Sequence, residues 1–168
     1  MELDVFLTKD NIVVVNHDSG LKRMTGVDAR FEEYNYADLP PFKNKIEYKD
    51  QAGSYTQQEG LDDAEWLTLD SLFANMPHKM LYSIDLKGME AEKCNLVYEV
   101  IAKHRQERHV VWGSGNEEAH AKLLELDPDI PRYYPYYSLI KTYVWYLLGC
   151  LFCFKLENDF LMTPIMTK

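Results

Sequence analysis

The chain opens on two short apolar runs separated by a polar break. In "MELDVFLTKDNIVVVNHDSGLKRMTG" residues 2–8 set Glu2 and Asp4 against Leu3, Val5 and Leu7, the two-residue period of a strand. Residues 12–16 are β-branched and apolar up to Asn16, and Lys9, Asp10 and Asn11 between the runs have the chemistry of a tight turn, so a hairpin is predicted. Residues 26–63 are polar and rich in proline, glycine and alternating charge, which predicts a long functional loop with little regular structure. In "AEWLTLDSLFANMP" Trp66, Leu69, Leu72 and Phe73 fall at helical spacing, with Asp70 and Ser71 on the other side and Pro77 as the stop. "KMLYSIDLKG" predicts a strand, residues 91–105 a helix burying Leu96, Val97, Val100 and Ile101, "RHVVWGSGN" a further strand, and residues 117–126 a further helix. Strands alternating with helices imply βαβ units, a parallel sheet and the α/β class.

Composition narrows the picture. A chain of 168 residues, 46% hydrophobic and 13% aromatic, suits one domain with its own core. A net charge of −9 argues against nucleic acid as the partner, because phosphate binding needs a basic face, and favours cations instead. Three cysteines are too few for a disulfide framework and point to a reducing compartment, and nothing at the amino terminus resembles a signal peptide.

Candidate chemistry gathers at strand ends. Glu2 and Asp4 lie two apart and share a face, and the predicted hairpin carries His17 and Asp18 back toward Glu2. Two carboxylates near an imidazole have the make-up of a cation site with a proton-moving group. They equally describe a solvated strand start followed by a turn histidine. Asp85 and Lys87 repeat the spacing at the carboxyl end of their strand, where α/β folds assemble their sites. The plainer reading of that pair is a surface salt bridge worth about 0–1 kcal/mol.

Taken in order, "ELD", "TKDN", "VVVNHD" and "LKRMTG" resemble the signature of the glycerophosphodiester phosphodiesterases: Glu-x-Asp, Thr-Lys-Asp-Gly, Val-Val-x-His-Asp and Leu-x-Arg-x-Thr-Gly. "WLTLDSLF" and "YSIDLKG" are similar to the family's later helix and Glu-x-Lys strand, so the resemblance runs from residue 2 to about residue 115. Beyond it, "VVWGSGN", the apolar stretch after Asp129 and "FLMTPIMTK" are more loosely similar to the membrane-associated animal, lysophospholipase D-like branch. The resemblance implies a (β/α)₈ barrel that hydrolyses glycerophosphodiesters or lysophospholipids in lipid metabolism, with a divalent cation, Mg²⁺ or Ca²⁺, and two histidines as acid and base. It places Glu2, Asp4 and Asp85 as metal ligands, His17 as one catalytic histidine and Lys87 as a charge facing the phosphate. Asp85 stands where many members have glutamate. Eight βα units take about 250 residues, so one incomplete domain over residues 1–168 is expected, a partial barrel without the first strand, ending in His-Arg-Gly, and without the last strands. A catalytically inactive lipid- or metal-binding remnant is the second reading.

Other signals are weaker. Cys150 and Cys153 form a C-x-x-C without a second pair for zinc or a thioredoxin-like flank, and His78, His104, His109 and His120 read as surface residues. "WGSGN" reads as a strand-to-helix turn without a phosphate-loop pattern. Residues 133–154 are apolar and aromatic, with thirteen uncharged residues over 142–154. That is too short to span a bilayer but suited to its interface, with Lys141 and Lys155 reaching headgroups; burial under a barrel loop or helix is the alternative. The expected location is a membrane surface on the cytoplasmic or endoplasmic reticulum side.

Overall fold

The computed structural model describes residues 1–48, 54–56, 64–77, 80–153, 156 and 158–160. Parts of the 26–63 loop, His78, Phe154 and Lys155 of the apolar segment, and residues 161–168 of the carboxyl-terminal motif lie outside the described residues. The fold is α/β, and the chain divides into two compact units, Val5–Asn75 and Met1–Asp4 with Met76–Lys168; strand β1 (Glu2–Leu7) contributes to both.

In the unit Val5–Asn75, the second half of β1 pairs antiparallel with β2 (Val13–Val15), Val5 opposite Val15 and Leu7 opposite Val13. The hairpin is the one expected from Lys9, Asp10 and Asn11. Asn11 takes a left-handed φ of 63°, which an Asx residue tolerates, and Thr8 closes the turn by donating its hydroxyl to Asp10 Oδ1 at 2.5 Å and accepting from Ile12 N at 2.9 Å. Behind the hairpin Phe6, Val14, Leu21, Phe31 and Trp66 form an aromatic core, with Phe31 stacked on Phe6 at 5.6 Å and edge-on to Trp66 at 5.2 Å. A short helix α1 (Lys22–Thr25) ends at Gly26, whose φ of 91° a residue with a Cβ adopts only under strain. The described part of the 26–63 stretch holds two 3₁₀ turns, Phe31–Glu33 and Tyr36–Asp38, and two isolated bridges, Arg30 to Gly20 and Glu47 to Tyr55, in line with the predicted loop.

Helix α2 (Leu69–Asn75) buries Leu69, Leu72 and Phe73 as the spacing predicted, but Trp66 lies outside it. Leu67 O accepts from Val15 N at 2.8 Å and Thr68 bridges Val14, so this segment runs extended beside β2. Thr68 then starts the helix: its hydroxyl accepts from Ser71 N at 3.0 Å, and Ser71 Oγ accepts in return from Thr68 N at 3.3 Å.

In the other unit, β3 (Tyr82–Leu86) and β4 (Val110–Gly113) pair in parallel, with Tyr82 beside Val110 and Asp85 beside Gly113. They are joined by α3 (Cys94–Lys103), which a 3₁₀ turn over Ala91–Lys93 introduces and which buries Cys94, Val97 and Ile101. The crossover helix is what a parallel pair requires. Leu96 and Val100, expected in the core, are half-buried. Helix α4 (Glu117–Leu126) has the predicted bounds, and its Asn116 cap accepts from Glu118 N and Ala119 N at 2.9 and 3.2 Å. The parallel ladder continues past β4 through single bridges, Trp112 to Arg132 and Tyr133 to Phe160. Between these last two contacts the chain makes an excursion that includes α5 (Tyr136–Leu147) and returns to its starting point: Tyr134 N donates to Phe160 O at 2.9 Å and Asp159 N to Arg132 O at 2.8 Å.

Candidate active site

Asp4, within β1, and Asp85, near the carboxyl end of β3, both meet one cationic side chain in the second unit. Side chains of β3 alternate, so Tyr82, Ile84 and Leu86 are buried on one face while Asp85 points to the other. Lys87 follows Asp85 by two and turns its ammonium back, to 2.5 Å from Asp85 Oδ2 and 3.4 Å from Asp4 Oδ1. The Asp4 side chain is only 4% exposed and that of Asp85 16%, against 44% for Lys87. Two carboxylates thus share one ammonium at the rim of the sheet. Burial alone would lower the Lys87 pKa, but hydrogen bonding and attraction to Asp85, then Asp4, outweigh it and hold the group above its ordinary value of 10.5.

An extended segment bridged to β4 supplies Tyr133. Its hydroxyl donates to Asp85 Oδ1 at 2.5 Å from a ring that is 6% exposed. Burial first, and then the charges of Asp85, Asp4 and Glu2, push this phenol well above its usual pKa, so it stays a donor. The sequence groups Tyr133 with the apolar segment 133–154. Instead it is buried beside the carboxylates, because the parallel bridge from Arg132 to Trp112 carries it into the ladder.

His17 belongs to the unit Val5–Asn75. Its side chain is 57% exposed and its Nδ1 lies 3.1 Å from Asp18 Oδ1. Asp18 is held in turn by Arg23, which pairs with its Oδ2 and donates from NH1 to Glu47 O at 3.0 Å. An imidazole on a carboxylate that an arginine fixes has the make-up of an oriented acid–base pair. The quoted "LKRMTG" motif contains Arg23, but only the fold shows that its partner is Asp18.

The donors expected to hold a cation are all carboxylate oxygens, the chemistry that hard divalent ions prefer. Among the described residues no three His, Cys, Asp or Glu side chains stand close enough to hold a metal ion together. Asp4 and Asp85 come together on Lys87, and the exposed Glu2 adds its charge to the same neighbourhood around Tyr133. The donor set fits the ion in kind, with Lys87 now on the two inner carboxylates. His104 and His109 are half-buried, and His120, expected at the surface, is buried: α4 turns it inward, where its Nε2 meets Asn158 Oδ1 at 2.7 Å and burial lowers its pKa. The Cys150 and Cys153 thiols are free.

The sequence profile of the Glycerophosphoryl diester phosphodiesterase family matches residues 1–148. The chain belongs to this family. It is 30% identical over 165 residues to human Lysophospholipase D GDPD1, covering 98% of this chain and 51% of the relative, and 26% identical over 151 residues to human Lysophospholipase D GDPD3, covering 90% and 46%. The chain spans about half the length of the curated relatives it matches. Among solved structures, an Oleispira antarctica phosphodiesterase in complex with the product sn-glycerol-3-phosphate superimposes with a TM-score of 0.64 at 23% identity, covering 85% of this chain and 58% of that one. A Thermotoga maritima glycerophosphodiester phosphodiesterase gives a TM-score of 0.58 at 24% identity, covering 88% and 55%. The fold is therefore part of a (β/α)₈ barrel, and the Asp4–Asp85–Lys87 cluster of this phosphodiesterase-family chain joins β1 to the carboxyl end of β3 within that part.

Proposed function

We propose that the chain serves hydrolysis of a glycerophosphodiester or lysophospholipid, the reaction its relatives are named for, through a divalent cation at Glu2, Asp4 and Asp85. The observation that carries this reading is the Lys87 ammonium shared by Asp4 and Asp85, a mixed-charge cluster at the carboxyl end of β3. A bound Mg²⁺ or Ca²⁺ would supply Lewis-acid neutralisation of the non-bridging phosphoryl oxygens. Lys87 gives a second positive charge to the same oxygens, and Asp4 and Asp85 keep it oriented. His17, set by Asp18 and Arg23, is the proton-transfer group, and its open ring leaves room for an attacking water or a leaving oxygen.

The test is release of glycerol 3-phosphate from glycerophosphocholine and of choline from lysophosphatidylcholine, with Mg²⁺ or with chelator. Hydrolysis should require the ion and fall roughly 10²–10⁴-fold in His17→Ala. Cation binding without turnover would favour the inactive remnant of the same fold.

A location at a membrane surface, on the cytoplasmic or endoplasmic reticulum side, belongs to the same proposal. What supports it is α5 and the residues after it: Tyr136, Tyr137, Tyr143, Tyr146, Leu147 and Phe152 are exposed, an aromatic–aliphatic surface suited to an interface. Among the described residues no helix is long and apolar enough to cross a membrane. The net charge of −9 favours zwitterionic over anionic lipid, so flotation with phosphatidylcholine vesicles, lost in Tyr143→Ser/Tyr146→Ser, is the corresponding measurement.

A further inference from the structure

Asp85, Gly113 and Tyr133 stand side by side on three successive parallel segments. Register places Asp85 beside Gly113, and the Trp112 to Arg132 bridge places Gly113 beside Tyr133. Side chains at matched positions of a parallel sheet point to the same face. A side chain at the middle position would separate the outer two, but that residue is glycine. The Tyr133 ring lies across the Gly113 backbone, and a Cβ built there would overlap three of its ring carbons. The hydroxyl then reaches Asp85 Oδ1, leaving Oδ2 turned to Lys87.

We infer that Tyr133 is the positioning residue of the cation site, with Gly113 as the gap through which it acts. The inference rests on the cation reading above and deepens it. A carboxylate with one oxygen held by a buried donor cannot turn about its terminal bond, so Oδ2 is presented in one direction. Aspartate, one methylene shorter than glutamate, reaches less far, and the tyrosine fixes the little reach it has. In this role Tyr133 is not itself a ligand of the cation. It acts through Asp85 alone.

The test titrates the whole chain with Mn²⁺, read by the loss of free-ion paramagnetic resonance signal, beside thermal unfolding of each variant without metal. Tyr133→Phe keeps the ring over Gly113 and removes only the hydroxyl; affinity should drop roughly 10–100-fold, the range for loss of a partner behind a ligand. Gly113→Ala should cost about as much by displacing the ring, and the double variant no more than either. Ile84→Val trims the buried face of the same strand without touching the carboxylates, so it should shift unfolding and leave Mn²⁺ affinity unchanged. If Asp85→Asn loses Mn²⁺ and Tyr133→Phe does not, the tyrosine's role is wrong and the cation reading stands. Should Ile84→Val weaken binding as much as Tyr133→Phe, the effect is general destabilisation and the inference is overturned. If the wild-type chain takes up no Mn²⁺ at all, the cation reading fails and the positioning role with it.

Discussion

Replacing Lys87 with methionine keeps most of the side-chain volume and deletes the charge that two carboxylates share. At the observed separations of 3.4 Å to Asp4 and 2.5 Å to Asp85, an effective dielectric of about 20 gives gross attractions of ~5 and ~7 kcal/mol. Desolvation cancels most of that. Breaking a fully buried pair costs about 3–5 kcal/mol, because the remaining charge stays buried without its counter-ion. Asp4 meets that condition, but Lys87 is 44% exposed, so water enters once the ammonium is gone and about 2 kcal/mol is expected. In urea, with a slope of about 2 kcal/mol/M, the midpoint should fall by about 1 M with the slope unchanged. The sign of the pH dependence follows from the raised Lys87 pKa. The lysine's contribution is fully present below its unfolded value near 10.5 and is lost as pH rises through the higher folded value, so pH 7 measures it whole. Asp4→Asn removes the charge that Lys87→Met strands, and the double variant should be more stable than the two single losses predict, by about 1 kcal/mol or more. Wild-type stability in Lys87→Met, or strict additivity in the cycle, would refute the shared-ammonium account.

Two further outcomes follow from the packing. Phe31→Ala removes a ring that stacks on Phe6 and meets Trp66 edge-on, and should cost about 3–5 kcal/mol by denaturant unfolding; a loss under 1 kcal/mol would mean that this core does not hold its unit together. Burial pushes the Cys94 thiol up to about 11, so about one molecule in a thousand carries its thiolate at pH 8. With a thiol reagent Cys150 and Cys153 should react in the native protein and Cys94 only on unfolding, and three equally fast thiols would contradict the placement of α3.

Much of the fold was legible where one local pattern decided the outcome. The hairpin around Asp10, the β3–α3–β4 crossover and the bounds of α4 each follow from periodicity plus a turn or cap residue nearby. Trp66 reads as helical because its spacing to Leu69 is helical, whereas the Thr68–Ser71 reciprocal bonds begin the helix later. Of the candidate site, the Asp4–Asp85–Lys87 cluster is foreshadowed by charged residues spaced two apart, Glu2 with Asp4 and Asp85 with Lys87. Tyr133 was not. It lies 48 residues from Asp85, inside a tyrosine-rich tract that reads as interfacial, and its role depends on a register between three strands that no single segment encodes. The strand-terminal Trp112-Gly113 pair was the one available signal, since glycine in a strand often marks a close approach by another group.

The excursion that carries α5 leaves the sheet at Arg132–Tyr134 and rejoins it at Asp159–Phe160, and the two ends are hydrogen-bonded to each other. Seen from the sheet, everything between those ends is a closed detour. Doubling the length of such a detour costs only about 0.6 kcal/mol of closure entropy, so this is where the chain tolerates growth, shortening or wholesale exchange. A graft of foreign sequence between residues 135 and 158 that restores the two clasping strands' ends should therefore leave the Asp85–Tyr133 bond in place. The surface the protein shows to its surroundings can change there independently of the chemistry at the strand ends.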